Sequence, residues 1–112
     1  MTEITRQHLE DAALAAGMEV LRWEDGVPIV HDGGELAGWW EPQLDDGDAF
    51  RLAAEMLIYV EHRGTGATAR TTPNSLVRVD HDSTLSDAAR AARVAVVLCA
   101  AEVGRRMREE GS

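Results

Sequence analysis

Residues 85–108 read LSDAARAARVAVVLCAAEVGRRMR, and this stretch decides the fold. Its apolar residues recur at helical spacing, which predicts one long amphipathic helix with arginines in its final turns. Thr84 and Asp87 have the spacing of a capping box at the start of that helix. The broad apolar face is formed by Leu85, Ala88, Ala92, Ala95, Val96, Cys99, Val103 and Met107. Such a face either covers a sheet or pairs with a second copy, so a homo-oligomer stays open.

The N-terminal third predicts a short helix followed by strands. Apolar residues at helical spacing predict a helix over residues 5–16, with Thr2 or Thr5 as N-cap and Gly17 as its end. Two apolar or alternating runs, residues 18–23 and 27–30, flank a turn sequence and predict a β-hairpin. A third short strand is predicted over residues 36–40.

A second helix is predicted from Asp45 to about Met56. Asp45 and Asp48 have the spacing of a capping pair, and acidic residues in a first turn suit the positive end of the helix dipole. Residues 57–62 fit either a continued helix or a strand, and we favour a strand. The predicted apolar stripe of this helix consists of Phe50, Ala53, Ala54 and Leu57.

Further strands are predicted over residues 67–72 and 76–80, with turns at the glycines and the proline between them. The predicted fold class is therefore α+β, with three helices and about four to six short strands. We expect these strands to join one mixed or antiparallel sheet, in the order α-β-β-(β)-α-β-β-β-α. A chain of 112 residues fits one compact domain, 1–112.

The charge of the chain bears on its partners. Its formal net charge is −9, so most of its surface repels a phosphate backbone, and direct nucleic-acid binding is not expected. The same charge favours encounter with a basic surface on another protein. No apolar run of about 18 residues is present, so we expect no membrane span, and the N-terminus lacks the basic region of a secretory signal. We therefore expect a cytoplasmic protein of a bacterial host cell.

Candidate catalytic and metal-binding residues have simpler interpretations. No histidine among His8, His31, His62 and His81 has the close spacing of a zinc-ligand pair. The carboxylates Asp45, Asp46 and Asp48 are better explained by helix capping than by a Ca²⁺ loop. His81, with Asp80 and Asp82 beside it and Ser83 and Ser86 following, has no nucleophile elbow around it. We expect no enzymatic activity, no metal, no cofactor and a buried thiol at Cys99.

Trp39 and Trp40 stand side by side at the entrance to the acidic turn. Adjacent side chains on a strand point to opposite faces, so we expect one ring in the core and the other near the surface. A large exposed ring commonly binds a partner or stacks on a base. The candidate partner-binding residues are Trp39, Trp40, Asp45, Asp46 and Asp48.

Residues 40–53, WEPQLDDGDAFRLA, resemble a group of small phage and prophage proteins. The pattern of that group is approximately Trp-Asn-Pro-Leu-x-Asp-Asp-Gly-Asp-Ala-Leu-Arg-Leu-Ala, and Glu41 departs from its asparagine. Residues 12–17, 88–97 and 100–107 are similar to the same group. The group looks related to the phage α-β-α sandwich domain, a small fold of mobile elements. The resemblance implies a phage setting, in which small accessory proteins often antagonise host defence, and it supplies no catalytic residues.

Two functions of different classes follow. In the first, the protein is an anti-defence inhibitor, anti-CRISPR-like, which binds a host defence protein through its acidic surface and an exposed tryptophan. In the second, an oligomer captures a nucleotide-derived immune signal between Trp39 or Trp40 and Arg70 or Arg78. A housekeeping role in the phage, without anti-defence activity, remains a further alternative.

Overall fold

The computed structural model describes residues 3–33, 37–63, 66–71, 75–80 and 85–111, and it confirms the α+β class and the element order. Residues 34–36, 72–74 and 81–84 lie outside this description, and with them the proposed capping residue Thr84 and the His81 cluster. The elements are α1 (Arg6–Ala15), β1 (Glu19–Glu24), β2 (Val27–His31), β3 (Ala37–Trp39), α2 (Asp46–Met56), β4 (Tyr59–Arg63), β5 (Gly66–Thr71), β6 (Ser75–Asp80) and α3 (Leu85–Glu110).

The strands form two separate antiparallel sheets, and the expectation that they join one sheet is wrong. The first sheet has the order β1-β2-β3 and the second the order β4-β5-β6. Each sheet pairs consecutive strands, so every ladder is completed locally by a short connection. Helix α2 stands in the chain between β3 and β4 and divides the two groups.

Helix α3 is the centre of the molecule. It packs against α1, α2 and the second sheet, so its middle turns are buried almost all round. Small and β-branched side chains fill this region, among them Ala95, Val97 and Ala100. They meet Ala67, Ala69 and Val79 on the inner face of the second sheet, all of which belong to the same core.

Helices α1 and α3 approach each other closely at Gly104. A Cβ atom at Gly104 would lie only 1.7 Å from the backbone oxygen of Asp11, so no side chain fits there. Asp11 is buried, and its carboxylate accepts hydrogen bonds from Arg108 Nε at 3.0 Å and from Gln7 Nε2 at 3.1 Å. A buried carboxylate needs such partners, because an unpaired one is costly to desolvate.

Helix α2 buries a different face from the predicted one. Ala49 and Leu52 are buried and Ala53 and Met56 are partly so, a set that also has helical spacing. The small side chains at 49 and 53 let α2 lie close to α3, and this packing decides between two equally periodic faces. Of the predicted stripe, Phe50 is 74% exposed and Leu57 is 76% exposed.

The end of α2 follows the prediction. Leu57 adopts a left-handed conformation (φ 53°, ψ 47°), and the amide of Ile58 donates to the carbonyl of Ala53 at 2.8 Å. Strand β4 begins two residues later. The expected change from helix to strand near Met56 is therefore confirmed.

Candidate functional site

The two adjacent tryptophans point in opposite directions, as their alternation on a strand predicts. Trp40 is 2% exposed and belongs to the main core, whereas Trp39 is 66% exposed. The amide of Trp40 donates to the carbonyl of Pro28 at 3.1 Å, which holds the chain in place just after β3. Trp39 is therefore the residue of this pair that can contact a partner.

Trp39 stands on the outer face of the first sheet and is held there. It lies opposite Ile29 in the ladder, and Ile29 lies opposite Arg22, so the three share one face. The indole Nε1 of Trp39 donates to the Glu24 carboxylate at 3.0 Å, and Arg22 Nε donates to the same carboxylate at 3.3 Å. Ile29 is buried on this face, away from the main core.

We call this surface the Trp39 face and define it by Glu19, Arg22, Glu24, Ile29 and Trp39. Glu19 belongs to it because it pairs with His31, which lies two residues from Ile29 and so points the same way. The face presents one large ring between two carboxylates and one guanidinium. Sequence reasoning missed Glu24 and Ile29, although the alternation of Arg22 with Glu24 places them on one side of β1.

The three aspartates of the turn have structural partners. The Asp45 carboxylate caps α2 by accepting from the amide of Asp48 at 2.8 Å. Asp48 accepts from the amide of Glu41 at 3.0 Å and pairs with Arg51 at 3.0 Å. The capping role of Asp45 is thus confirmed, and Asp48 stabilises the turn instead of returning to the Asp45 amide.

Asp46 joins this turn to the central helix. Arg93 of α3 contacts the Asp46 carboxylate at 2.6 Å and donates through Nε to the carbonyl of Gln43 at 3.1 Å. The Asp46 side chain remains 82% exposed, so it can still meet a partner while it holds Arg93. Reversing the charge at these aspartates would damage the fold, which makes them poor probes of binding.

The negative charge is concentrated in one part of the chain. Residues 19–55, which form the first sheet, the turn and most of α2, carry ten acidic side chains against two arginines, a formal charge of −8. Residues 56–112 carry seven acidic side chains against eight arginines, a formal charge of +1. The Trp39 face therefore lies in the acidic part of the protein. Counting charges by segment would have revealed this from sequence.

The arginines expected beside a tryptophan lie on the other sheet. Trp40 lines a groove of about 720 Å³ together with Phe50, Arg51 and Glu55, but neither Arg70 nor Arg78 lines it. By the register of the second sheet, Arg70 and Arg78 share its outer face. There Arg70 lies over the ring of Tyr59, 5.7 Å from its centre, and Arg78 pairs with Asp80 at 3.0 Å.

The described histidines are spread over the molecule. His8 accepts from the Thr5 amide in the capping box of α1, which confirms Thr5 as the N-cap. His31 accepts from the amide of Gly33 at 3.2 Å. Among the residues that the structure describes, no group of three or more His, Cys, Asp or Glu side chains is arranged to hold a metal ion.

Cys99 lies in the core, as expected. Burial raises the pKa of its thiol, and hydrogen bonding with Thr71 offsets part of that rise. A neutral, inaccessible thiol is a poor nucleophile.

Comparison with protein-family models, curated proteins and solved structures found no match to this chain. Within the described ranges, no helix is long and apolar enough to cross a membrane.

Proposed function

We propose that this protein acts by binding a basic surface of another protein through the Trp39 face, without catalysing a reaction. The observation that carries the proposal is the placement of a 66% exposed tryptophan, fixed by Glu24, in the segment that bears a charge of −8. A rigid ring surrounded by complementary charge has the composition of an interface hot spot.

The state of Trp39 in the free chain supports this role. Its indole N–H already has an acceptor and its ring already lies beside Ile29, so few rotamers remain to be lost on binding. Preorganisation of this kind improves affinity because it reduces the entropic cost of association. A ring with only a structural role would gain more by turning inward, as Trp40 does.

We further propose that the partner is a bacterial defence protein whose basic surface normally holds nucleic acid, such as a CRISPR effector complex. The acidic segment would then compete for that surface, and the protein would be a phage-encoded anti-defence inhibitor active in the host cytoplasm. The resemblance of four stretches of the chain to small phage and prophage proteins supports this setting.

The test is the plating efficiency of a CRISPR-targeted phage on bacteria that express the protein. We expect the wild-type chain to restore plating and the variants Trp39→Ala and Glu19→Lys to lose most of this protection. Both positions are exposed and outside the main core, so both variants should fold. The control is Leu76→Ala, which removes a 70% exposed side chain from the second sheet.

Two results would count against the proposal. If the wild-type chain protects no phage and captures no effector complex at low ionic strength, the proposed partner class is wrong. If Trp39→Ala protects as well as the wild type while Leu76→Ala does not, binding occurs through the second sheet and the Trp39 face has another role.

A further inference from the structure

We propose that the protein forms a symmetric dimer in which Phe50 of each copy inserts into a cleft between α2 and α3 of the other copy. The cleft, which we call the α2–α3 cleft, has a volume of about 270 Å³. Its walls are formed mainly by Ala49, Ala53, Ala89, Ala92 and Val96.

The first observation is the exposure of Phe50. An isolated exposed apolar residue needs no explanation, but Phe50 continues along α2 into Ala54 and Leu57, which are also exposed. Positions i, i+4 and i+7 share one side of a helix, so these residues form an apolar strip in the described part of the chain. An amphipathic pattern that the fold itself leaves uncovered indicates a partner.

The second observation is the cleft beside that strip. Alanines line both helices there, and they leave a hollow that the chain's own large side chains do not fill. A cavity of roughly 150 Å³ already accepts benzene, so a cleft of about 270 Å³ holds a phenyl ring. Phe50 stands at the rim of this cleft, where it lines the α2–α3 cleft and the neighbouring groove.

A projecting ring next to a hollow makes this surface complementary to itself. An isologous interface requires that residue i of one copy meets residue j of the other and that j meets i. A twofold rotation about an axis between Phe50 and the cleft brings each ring to the partner's hollow. A second copy of the chain is therefore the occupant that fits best.

Local charge also favours a second copy. A chain with a net charge of −9 repels itself, but charges at this surface are paired. Asp46 contacts Arg93 at the cleft rim, and Arg51 next to Phe50 contacts Asp48. The interface proposed here is therefore locally neutral, whereas the Trp39 face is acidic. Salt distinguishes the two contacts, because it screens repulsion between copies and also weakens attraction to a basic partner.

The experiment is sedimentation equilibrium of the purified full chain, from about 1 µM to about 1 mM, at low and high NaCl concentration. We expect the wild-type mass to rise from 12.2 kDa towards twice that value, and the dimer to tighten with salt. Phe50→Asp should weaken dimerisation at least about 100-fold, because it places a charge in the partner's hollow. Ala89→Phe, at an exposed wall position, should weaken it by filling the hollow.

Leu76→Asp is the matched control, since Leu76 is equally exposed but lies on the second sheet. It should dimerise like the wild type, and circular dichroism should show that all variants are folded. A wild-type chain that stays monomeric throughout overturns the proposal, and so does dimerisation that survives both Phe50→Asp and Ala89→Phe. Loss of the dimer in Leu76→Asp alone would move the interface to the second sheet and overturn it too.

Discussion

Gly104 sets the distance between α1 and α3. A methyl group there would collide with the backbone of Asp11, which is not the end of a flexible side chain, so the helices would have to separate. We predict that Gly104→Ala lowers the free energy of unfolding by about 2–3 kcal/mol, although alanine is the better helix former. Urea denaturation followed by circular dichroism measures this. The control Gly111→Ala, at the end of α3, should stay within about 0.5 kcal/mol of the wild type. Equal stability of both variants would contradict the close approach.

Leu57 is a second position where one residue bears a backbone cost. A left-handed conformation is unfavourable for a side chain with a Cβ, and Leu57 gains little from packing because it is 76% exposed. We predict that Leu57→Gly raises the free energy of unfolding by about 0.5–1 kcal/mol. The same replacement at exposed, right-handed Ala54 should lower it by about 1 kcal/mol. The pair of thermal or urea melts tests the conformation, and destabilisation at both positions would contradict it.

At this scale the sequence predicts direction better than contact. The alternation of a strand is enough to place one tryptophan inward and the other outward, and Trp40 and Trp39 follow it. The hydrogen bond from Trp39 to Glu24 joins residues 15 positions apart, and no local pattern announces it. Likewise, the need for glycine at 104 arises from α1, which lies at the other end of the chain.

The start of α2 is the element that ties the acidic turn to the core. We predict that Asp45→Ala lowers the free energy of unfolding by about 1 kcal/mol, because the amide of Asp48 loses its acceptor. Asp46→Asn should cost less, since the Asp46 carboxylate is largely exposed to solvent. Urea denaturation provides the values, with Glu55→Ala, an exposed acid in the same helix, as control. A loss at Glu55 as large as that at Asp45 would mean that total charge, and not capping, decides the stability of α2.

The last turns of α3 contain an ion network whose effect depends on pH. Hydrogen bonding to Arg105 lowers the pKa of Glu102, and this effect outweighs the opposing effect of burial. A lowered pKa in the folded state contributes stability above the unfolded pKa of roughly 4.3, and that contribution disappears as the pH falls through the folded value.

We therefore predict that Glu102→Gln is less stable than the wild type at pH 7, and that the two converge near pH 3. The difference at pH 7 should be only a few tenths of a kcal/mol, because the side chain is about one-third exposed and solvent screens the pair. Thermal melts at both pH values measure it. A gap of the same size at pH 3 would show that the ion pair is not its cause.

At the scale of elements, existence and order were predictable while faces and pairing partners were not. Caps and turns are local, so the bounds of α1 and the end of α2 follow from residues such as Thr5 and Gly17. The buried face of α2 depends on α3, because Ala49 with Ala53 and Phe50 with Ala54 are equally periodic. Pairing between distant strands has no local signature either, so the division into two sheets could not be predicted.

On the scale of the whole molecule, the two halves of the chain differ in charge and in the surfaces they present. The first sheet and α2 bear most of the negative charge, with Trp39 on their outer face. The second sheet and α3 are nearly neutral, and α3 supplies most of the core. The net charge alone suggested an acidic surface, but its position relative to Trp39 required the fold.

The most direct test of this account is the affinity of the purified chain for an isolated CRISPR effector complex, measured by calorimetric titration at about 50 and 300 mM NaCl. We predict that Trp39→Ala lowers the affinity at least about 30-fold and that Leu76→Ala leaves it unchanged. Higher salt should weaken wild-type binding several-fold, because the contact depends on opposite charges. Affinity that is independent of salt and unaffected by Trp39→Ala would contradict binding through the Trp39 face.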